Sequence, residues 1–229
     1  SGSCRNNSDT ARHLERARHV GATLEMHDEV AVVFVDLVGF TQLASRTVPS
    51  ELVAMLDGLF TRMDALAATH GVEKIKTIGD AYLAVCGMPD RNPDHAKAIV
   101  QAALAMRAFV ERRNQSSRHA WSCRIGVHSG AVTAGVIGRL KYIYDIFGDG
   151  VNTASRMESR AEPMQINISA ATRALLGDGF EVEPRGIMEV KGKGAMEMFY
   201  VHGAPDLPLH IPEVRTMPDE TGVASIFLD

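Results

Sequence analysis

The feature that most limits how this chain can fold is an apolar run at residues 31–35 that ends abruptly in Asp36. A run of about five β-branched and aromatic residues is typical of a strand buried on both faces. The charge at its end then lies at the rim of a sheet, and Gly39 lets backbone amides approach a ligand closely. A carboxylate beside a phosphate-binding helix start indicates a metal–nucleotide site, because a cation must separate the two anions. A second interpretation, in which Asp36 only caps the next helix, fits this stretch equally well.

Composition and charge narrow the classes of protein that fit. The 229 residues form one large or two small domains, and a hydrophobic content of 45% is ordinary for a globular chain. A formal charge of −4 argues against nucleic acid or an anionic membrane as the main partner. No apolar run is long enough to span a membrane, no signal peptide is visible, and the three cysteines form neither a disulfide framework nor a zinc set. We therefore expect a cytoplasmic domain.

Three segments are expected along the chain. Residues 1–27 begin with Ser-Gly-Ser, which resembles a cloning scar, and continue into a helix over about residues 10–26 that covers the domain or pairs with its copy and transmits a signal. Residues 28–203 form the main domain, and the proline-containing residues 204–229 form a flexible tail. On this interpretation the sequence is a piece of a longer protein, in which a membrane or sensor segment can precede it.

The periodicity of the main domain predicts an α+β, ferredoxin-like fold. Helices are expected over 49–69 and from Pro93 to about Asn114, strands over 72–78 and 81–87, and a hairpin of 123–129 with 131–138 around Gly130. With the first strand, these give a βαββαβ core sheet with its helices on one face. A C-terminal α/β extension follows, with helices over 151–159 and 171–176 and short strands at 142–147, 165–169, 180–184, 188–190 and 198–202.

This topology brings two distant carboxylates together. In a ferredoxin-like sheet the first strand is antiparallel to the third, so Asp36 at the end of one lies beside Asp80 at the start of the other. Two adjacent carboxylates repel unless they are protonated or bridged by a metal, and a two-ion Mg²⁺ site is the natural arrangement. The alternative is that Asp80 is only a turn residue after Gly79. Convergence with Asp36 favours the metal.

Two further features suit a nucleotide without proving one. Asn152 and Arg156 are four residues apart on a helix and so face the same way, which suits a ribose and a phosphate but is also common in ordinary surface contacts. Residues 191–194, Lys-Gly-Lys-Gly, form a basic loop able to close over phosphates, although no Walker loop is present.

Five motifs resemble those of the catalytic domain of class III nucleotidyl cyclases, of the bacterial-like, homodimeric adenylyl type. They occur in order between about residues 30 and 201, and their combination is far more specific than any one alone. The motifs are Phe34-Val35-Asp36-Leu37-Val38-Gly39-Phe40-Thr41, Lys74-Ile75-Lys76-Thr77-Ile78-Gly79-Asp80, Arg124-Ile125-Gly126-Val127-His128-Ser129-Gly130, Phe147-Gly148-Asp149-Gly150-Val151-Asn152-Thr153-Ala154-Ser155-Arg156-Met157-Glu158-Ser159 and Val190-Lys191-Gly192-Lys193-Gly194.

The resemblance implies conversion of a nucleoside triphosphate to its 3′,5′-cyclic monophosphate and pyrophosphate, with two Mg²⁺ or Mn²⁺ ions per site. One ion would lower the pKa of the ribose 3′-hydroxyl and the other would hold the triphosphate. Asn152 matches the residue that positions the ribose, and Arg156 the one that stabilises charge on the α-phosphate. By the same resemblance, the metal ligands are Asp36, the Leu37 carbonyl and Asp80, and the triphosphate is bound by Arg124, Lys191 and the amides of Val38, Gly39, Phe40 and Thr41.

Two positions determine the base. Lys76 stands where adenylyl cyclases have lysine and guanylyl cyclases glutamate, and Asp145 where adenylyl enzymes have aspartate or threonine. Adenine offers an acceptor at N1 and a donor at N6, which a lysine and a carboxylate complement, whereas guanine reverses that edge. The resemblance therefore predicts ATP as substrate.

In this family the metal aspartates of one site come from one chain, and the other chain provides the residues that match Lys76, Asp145, Asn152, Arg156 and Lys191. One chain here holds both sets, so the resemblance implies a head-to-tail homodimer with two equivalent sites. Competing hypotheses are a guanylyl cyclase, a silent nucleotide-sensing dimerisation module, and another palm-like phosphoryl-transfer domain. Intact site residues oppose the silent module, and the absence of a Gly-Gly-Asp/Glu-Glu-Phe loop opposes the palm-like one.

Overall fold

The computed structural model describes residues 24–116, 120–137, 143–205, 215–218 and 224–227. Of the predicted N-terminal helix over residues 10–26, the last three residues belong to the first strand instead, and the others lie outside the described ranges. The elements are β1 (Leu24–Leu37), α1 (Phe40–Ala44), α2 (Pro49–Thr69), β2 (Glu73–Ile78), β3 (Ala81–Cys86), α3 (His95–Ser116), β4 (Cys123–Ile137), β5 (Ile143–Phe147), α4 (Asp149–Ser159), β6 (Ile166–Ser169), α5 (Ala170–Leu176), β7 (Glu181–Val190), β8 (Gly194–Gly203), β9 (Arg215–Pro218) and β10 (Ala224–Phe227).

The predicted ferredoxin-like core is confirmed. The main sheet has the order β2-β3-β1-β4-β6-β8-β7, with β5 paired to the second half of β4. Strand β1 runs antiparallel to both β3 and β4, and the extension joins through a parallel pairing of β4 with β6. The C-terminal end of β1 therefore lies between the start of β3 and the start of β4, which is where the candidate site forms.

The two faces of β1 contact different helices because successive side chains of a strand point to opposite sides. Val33 and Val35 pack in the cluster that contains residues of α2 and α3. Val32 and Phe34 pack on the other face, together with residues of β5 and α4. The core helices thus share one face, as predicted, and α4 of the extension covers part of the other. Because Asp36 follows this alternation, it belongs to the α4 side of the sheet.

The predicted hairpin around Gly130 is wrong. Residues 123–137 form the single strand β4, in which Gly130 pairs with Val30 across β1. Gly130 is not among the glycines with positive φ, so its backbone needs no turn conformation. The hairpin partner of β4 is β5, which starts after residue 142. The strands predicted at 180–184 and 188–190 are likewise one strand, β7, with an irregularity between Pro184 and Gly186.

The C-terminal residues include more regular structure than the sequence indicated. The strands β9 and β10 pair antiparallel in a separate two-stranded sheet. Their pairing shows that the segment after residue 203 is not entirely irregular, while the division of the chain into three segments stays a prediction. None of the helices within the described ranges is long and apolar enough to cross a membrane.

Candidate active site

Asp36 and Asp80 lie together at the rim of the sheet, as the topology predicts. Val35 pairs with Tyr82 between β1 and β3, which sets Asp36 beside the β2–β3 turn that holds Asp80. Gly79, with φ of 63°, provides the left-handed backbone of that turn. Burial raises the pKa of the Asp80 carboxyl, and the charge of Asp36 raises it further. The fold has therefore concentrated negative charge at this rim.

The residues at this rim fit a divalent cation that takes only some of its ligands from protein side chains. Within the described ranges, no three His, Cys, Asp or Glu side chains cluster as a complete metal site. Two carboxylates are, however, the type of donor that Mg²⁺ and Mn²⁺ prefer, and Mg²⁺ commonly takes its other ligands from phosphates and water. The Leu37 carbonyl directly follows Asp36 in the chain and is a further candidate oxygen donor.

Arg124 is fixed by carboxylates from two different elements. It is the cross-strand partner of Asp36, and its Nη2 lies 2.7 Å from Oδ2 of that residue. Its Nε lies 2.9 Å from Oε1 of Glu158, at the C-terminal end of α4. Burial by itself would lower the pKa of Arg124, but the hydrogen bond to Asp36 and the charge of Glu158 outweigh it, so the pKa is raised. Arg124 thus belongs spatially to the aspartate pair.

Glu158 is a site residue that the sequence interpretation missed. It is only 9% exposed, and burial raises its pKa to about 7, with Arg124 opposing the shift and Asp36 and Asp80 adding to it. A signal was available, because Glu158 follows Ala154 by four positions and so lies on the apolar side of an amphipathic helix. A carboxylate on such a face requires a polar partner.

Gly126 allows α4 to lie directly against β4 at this point. A Cβ atom at residue 126 would lie 1.9 Å from the backbone nitrogen of Glu158 and 2.6 Å from the carbonyl carbon of Met157. Only a glycine leaves room for the helix backbone at this distance. The position of Glu158 relative to Arg124 is therefore set by close backbone packing.

The loop after β1 contains amides suited to an anion, but fewer than predicted. Gly39 has φ of 76° and precedes α1, in which the first backbone hydrogen bond runs from the Gln42 amide to the Gly39 carbonyl, so the amides of Phe40 and Thr41 come before it. The Val38 amide, in contrast, donates to the Ser122 carbonyl at 2.8 Å. The amides of Gly39, Phe40 and Thr41 therefore remain the better candidates for a phosphate cradle.

Lys76 on β2 and Asp145 on β5 form an ion pair. The Lys76 Nζ lies 2.5 Å from Oδ2 of Asp145, and Oδ1 of that carboxylate accepts from the Ile146 amide. Their side chains are 35% and 14% exposed, so the pair is shielded but accessible. Lys76 pairs with Leu83 on β3, and the Lys–Asp contact links β2 to β5.

Asn152 and Arg156 lie on the exposed side of α4, whereas Thr153, Ala154 and Met157 are buried. No hydrogen bond or ion pair within the described ranges connects Asn152 or Arg156 to the aspartate pair. Lys191 is exposed in the β7–β8 loop, and its neighbour Lys193 forms an ion pair with Asp149 at the start of α4. The structure thus groups Asp36 with Asp80 and Arg124, groups Lys76 with Asp145, and leaves Asn152, Arg156 and Lys191 facing outward.

Comparison with known proteins supports an enzymatic site. Residues 22–203 match the family model described as "Adenylate and Guanylate cyclase catalytic domain". An adenylate cyclase of Mycobacterium tuberculosis is 41% identical over 179 residues, which are 78% of this chain and 40% of the relative's length. The chain therefore spans less than half of that relative.

Two solved structures show the same fold. The guanylate cyclase domain of RhGC from Catenaria anguillulae, in complex with GTP, is 40% identical with a TM-score of 0.76, covering 79% of this chain and 99% of that one. The catalytic core of a rhodopsin-guanylyl cyclase with converted specificity, in complex with ATPalphaS, is 42% identical with a TM-score of 0.75, covering 79% and 98%.

Proposed function

Because the chain belongs to the family of adenylate and guanylate cyclase catalytic domains, and so contains a class III nucleotidyl cyclase domain, we propose that it is an adenylyl cyclase. It converts ATP to 3′,5′-cyclic AMP and pyrophosphate. The observation that carries the choice of ATP is the ion pair between Lys76 and Asp145. The family's function alone does not make this choice, because its members include enzymes for both nucleotides.

The Lys76–Asp145 pair matches the edge of adenine. The ammonium group donates to N1, and the carboxylate accepts from the N6 amino group. Guanine presents a donor at N1 and an acceptor at O6, so each protein group would face a partner of its own kind. Both side chains already lie side by side on shielded strands, which lowers the cost of ordering them around a base.

The aspartate pair holds the reacting end of the nucleotide. Asp36, Asp80 and the Leu37 carbonyl would bind two Mg²⁺ or Mn²⁺ ions, which, when bound, acidify the ribose 3′-hydroxyl and neutralise the triphosphate. Arg124, whose Nη2 lies 2.7 Å from Asp36, adds positive charge to the phosphates while it stays paired with that carboxylate. The amides of Gly39, Phe40 and Thr41, together with Lys191 of a second copy of the chain, bind the rest of the triphosphate.

The outward-facing residues of α4 complete a site on a second copy of the chain. Asn152 orients the ribose so that its 3′-oxygen attacks the α-phosphate, and Arg156 stabilises the charge that develops there. Both are exposed in the single chain and have no described contact with its own aspartates. The arrangement that uses every residue is a head-to-tail homodimer with two equivalent sites.

A direct product assay tests the proposal. The purified chain is incubated with ATP or GTP and with Mg²⁺ or Mn²⁺, and cyclic AMP, cyclic GMP and pyrophosphate are separated and quantified. We expect cyclic AMP as the main product, with one pyrophosphate released per turnover. A larger yield of cyclic GMP would make the enzyme a guanylyl cyclase, and no product with either nucleotide would leave a silent nucleotide-binding module.

A further inference from the structure

Glu158 is a buried carboxylate for which the proposed reaction has no role. It lies on the last turn of α4, two residues after Arg156, and is 9% exposed. Its contact is an ion pair with Nε of Arg124 at 2.9 Å. Since an isolated buried carboxylate is strongly unfavourable, its position demands a structural or functional explanation.

Arg156 and Glu158 are neighbours in sequence but face opposite sides of the helix. Residues two positions apart on an α-helix differ by roughly 200° around its axis. Arg156 is accordingly exposed and directed away from the sheet, whereas Glu158 lies over β4. One helix therefore presents charged groups to two separate surroundings.

The contact of Glu158 continues to the aspartate pair. Nη2 of Arg124 donates a hydrogen bond to Asp36 at 2.7 Å, and Nε forms an ion pair with Glu158 at 2.9 Å. Two carboxylates, one close to Nε and one close to Nη2, restrict the orientation of the guanidinium more than a single partner does. The close packing of α4 on Gly126 fixes the backbone of Glu158, so the orientation is imposed by the fold.

We propose that Glu158 is a positioning residue for the metal half of its own chain's site, acting through Arg124 on Asp36. Arg156, two residues earlier on the same helix, acts in the other site of the dimer. This role of Glu158 rests on the proposed function, because it requires a dimer with two active sites, each built from residues of both chains. It also means that α4 contributes to both sites at once, with one face to each.

Single variants provide the first test. Loss of an outer partner of a metal site typically lowers activity about 10- to 100-fold, and we expect Glu158→Gln to lower kcat within that range. The Gln side chain keeps the volume but loses the charge that holds Nε of Arg124. Glu162→Gln removes the same charge from an exposed position four residues later and should retain full activity. Full activity of Glu158→Gln would overturn the proposal.

Subunit mixing then assigns Glu158 to one half-site. Asp36→Ala inactivates the metal half and Arg156→Ala the other half, so mixing these two after verified subunit exchange should give about a quarter of wild-type activity. Mixing Glu158→Gln with Arg156→Ala should recover the same level. In that dimer one site combines the intact aspartates of the Arg156→Ala chain with the intact Arg156 of the Glu158→Gln chain. Mixing Glu158→Gln with Asp36→Ala should give about half the low activity of Glu158→Gln alone, because each mixed dimer then has one weakened site and one inactive site.

Each outcome decides between named alternatives. Recovery with Asp36→Ala but not with Arg156→Ala would place Glu158 with Arg156 and overturn the inference. Recovery with both partners, or with neither, would overturn the claim that Glu158 acts only with the metal-binding residues of its own chain. Recovery with Arg156→Ala also proves that the variant chain folds, since its own α4 completes the working site. If the reference pair of Asp36→Ala and Arg156→Ala fails to recover, sites shared between chains are refuted and this assignment falls with them.

Discussion

The Lys76 ammonium lies 2.5 Å from the Asp145 carboxylate, although 69 positions separate the two residues in the chain. In the sheet, β3 and β1 lie between β2, which carries Lys76, and β4, to which β5 is paired. The contact therefore forms because β5 reaches across the face of the sheet that α4 also covers. This geometry joins the two residues on which the choice of base depends.

Exchanging both members of this pair should alter nucleotide use. In Lys76→Glu with Asp145→Cys, the donor for N1 of adenine and the acceptor for N6 are both lost, so kcat/KM for ATP should fall by at least about 100-fold. The new glutamate accepts from N1 of guanine, so the ratio of GTP to ATP use should rise. Chromatographic quantification of cyclic AMP and cyclic GMP measures both effects.

The matched control for this exchange is Lys97→Glu, a charge reversal at an exposed position on α3 that pairs with Asp94. It should leave both nucleotide activities unchanged. Undiminished ATP turnover by the double variant would show that Lys76 and Asp145 do not read the base.

The aspartate pair should be required for turnover and dispensable for folding. In Asp36→Asn and Asp80→Asn, loss of one anionic ligand should lower kcat by about 100-fold or more, because a bound metal contributes several kcal/mol to such reactions. Asp80→Asn should be at least as stable as wild type in EDTA, since burial, and after it the charge of Asp36, raises the pKa of Asp80 and so disfavours its charged form.

Activity assays over a range of Mn²⁺ concentrations and urea unfolding in EDTA test the two parts separately. Rapid turnover by either variant would refute the metal assignment. A large loss of stability in Asp80→Asn would instead indicate that Asp80 is a structural turn residue.

The order of elements could be predicted from sequence because local patterns encode it. The helix over 49–69 was bounded correctly by Pro49 and Gly71, and the turn at residues 78–80 was identified by Gly79. The proximity of Asp36 and Asp80 followed from this order, because the ferredoxin-like pattern fixes which strands are neighbours. Features that depend on local sequence, or on the order of the strands alone, could therefore be predicted.

Features that depend on long-range packing were not accessible in the same way. Gly130 was interpreted as a turn, but β1 continues opposite it and keeps its backbone extended. The Val38 amide was assigned to phosphate, but a carbonyl 84 positions later accepts its hydrogen bond. Glu158 was quoted within a motif, yet its contact with Arg124 depends on how closely α4 approaches Gly126.

Gly126→Ala should disrupt the packing of α4 on β4. Its Cβ would lie 1.9 Å from the Glu158 backbone nitrogen, a distance that no side-chain rearrangement can relieve. Overpacking of this kind typically costs about 1–3 kcal/mol, and we expect an effect at the upper end with a parallel loss of cyclase activity. Urea unfolding of the variant and wild type measures the change in free energy of unfolding.

Gly179→Ala is the control for that substitution, because no atom lies within 4 Å of a Cβ at residue 179. It should be nearly neutral in both stability and activity. Equal stabilities of the two variants would mean that α4 is not packed against β4 as closely as the structure indicates.

His128 should make the fold less stable in mild acid. It lies on β4, where Nδ1 is 2.8 Å from the Ser169 hydroxyl. Burial lowers the pKa of the imidazole, and the charge of Lys193 lowers it further, while Asp149 partly opposes the shift. Below about pH 6.5 the unfolded chain binds a proton at this position that the folded chain resists. The free energy of unfolding should therefore fall as the pH drops through this window.

The variant His128→Asn isolates this contribution, because an asparagine can keep the hydrogen bond to Ser169 but does not titrate. The free energy of unfolding of wild type and variant is measured with urea from pH 8 to pH 5. Above about pH 6.5 the two curves should run parallel, because the histidine is mostly neutral in both the folded and the unfolded chain. Below that pH, wild type should lose stability more steeply than the variant, because only wild type carries a histidine whose protonation favours the unfolded chain. Parallel curves over the whole range would show that folding leaves the proton affinity of His128 unchanged.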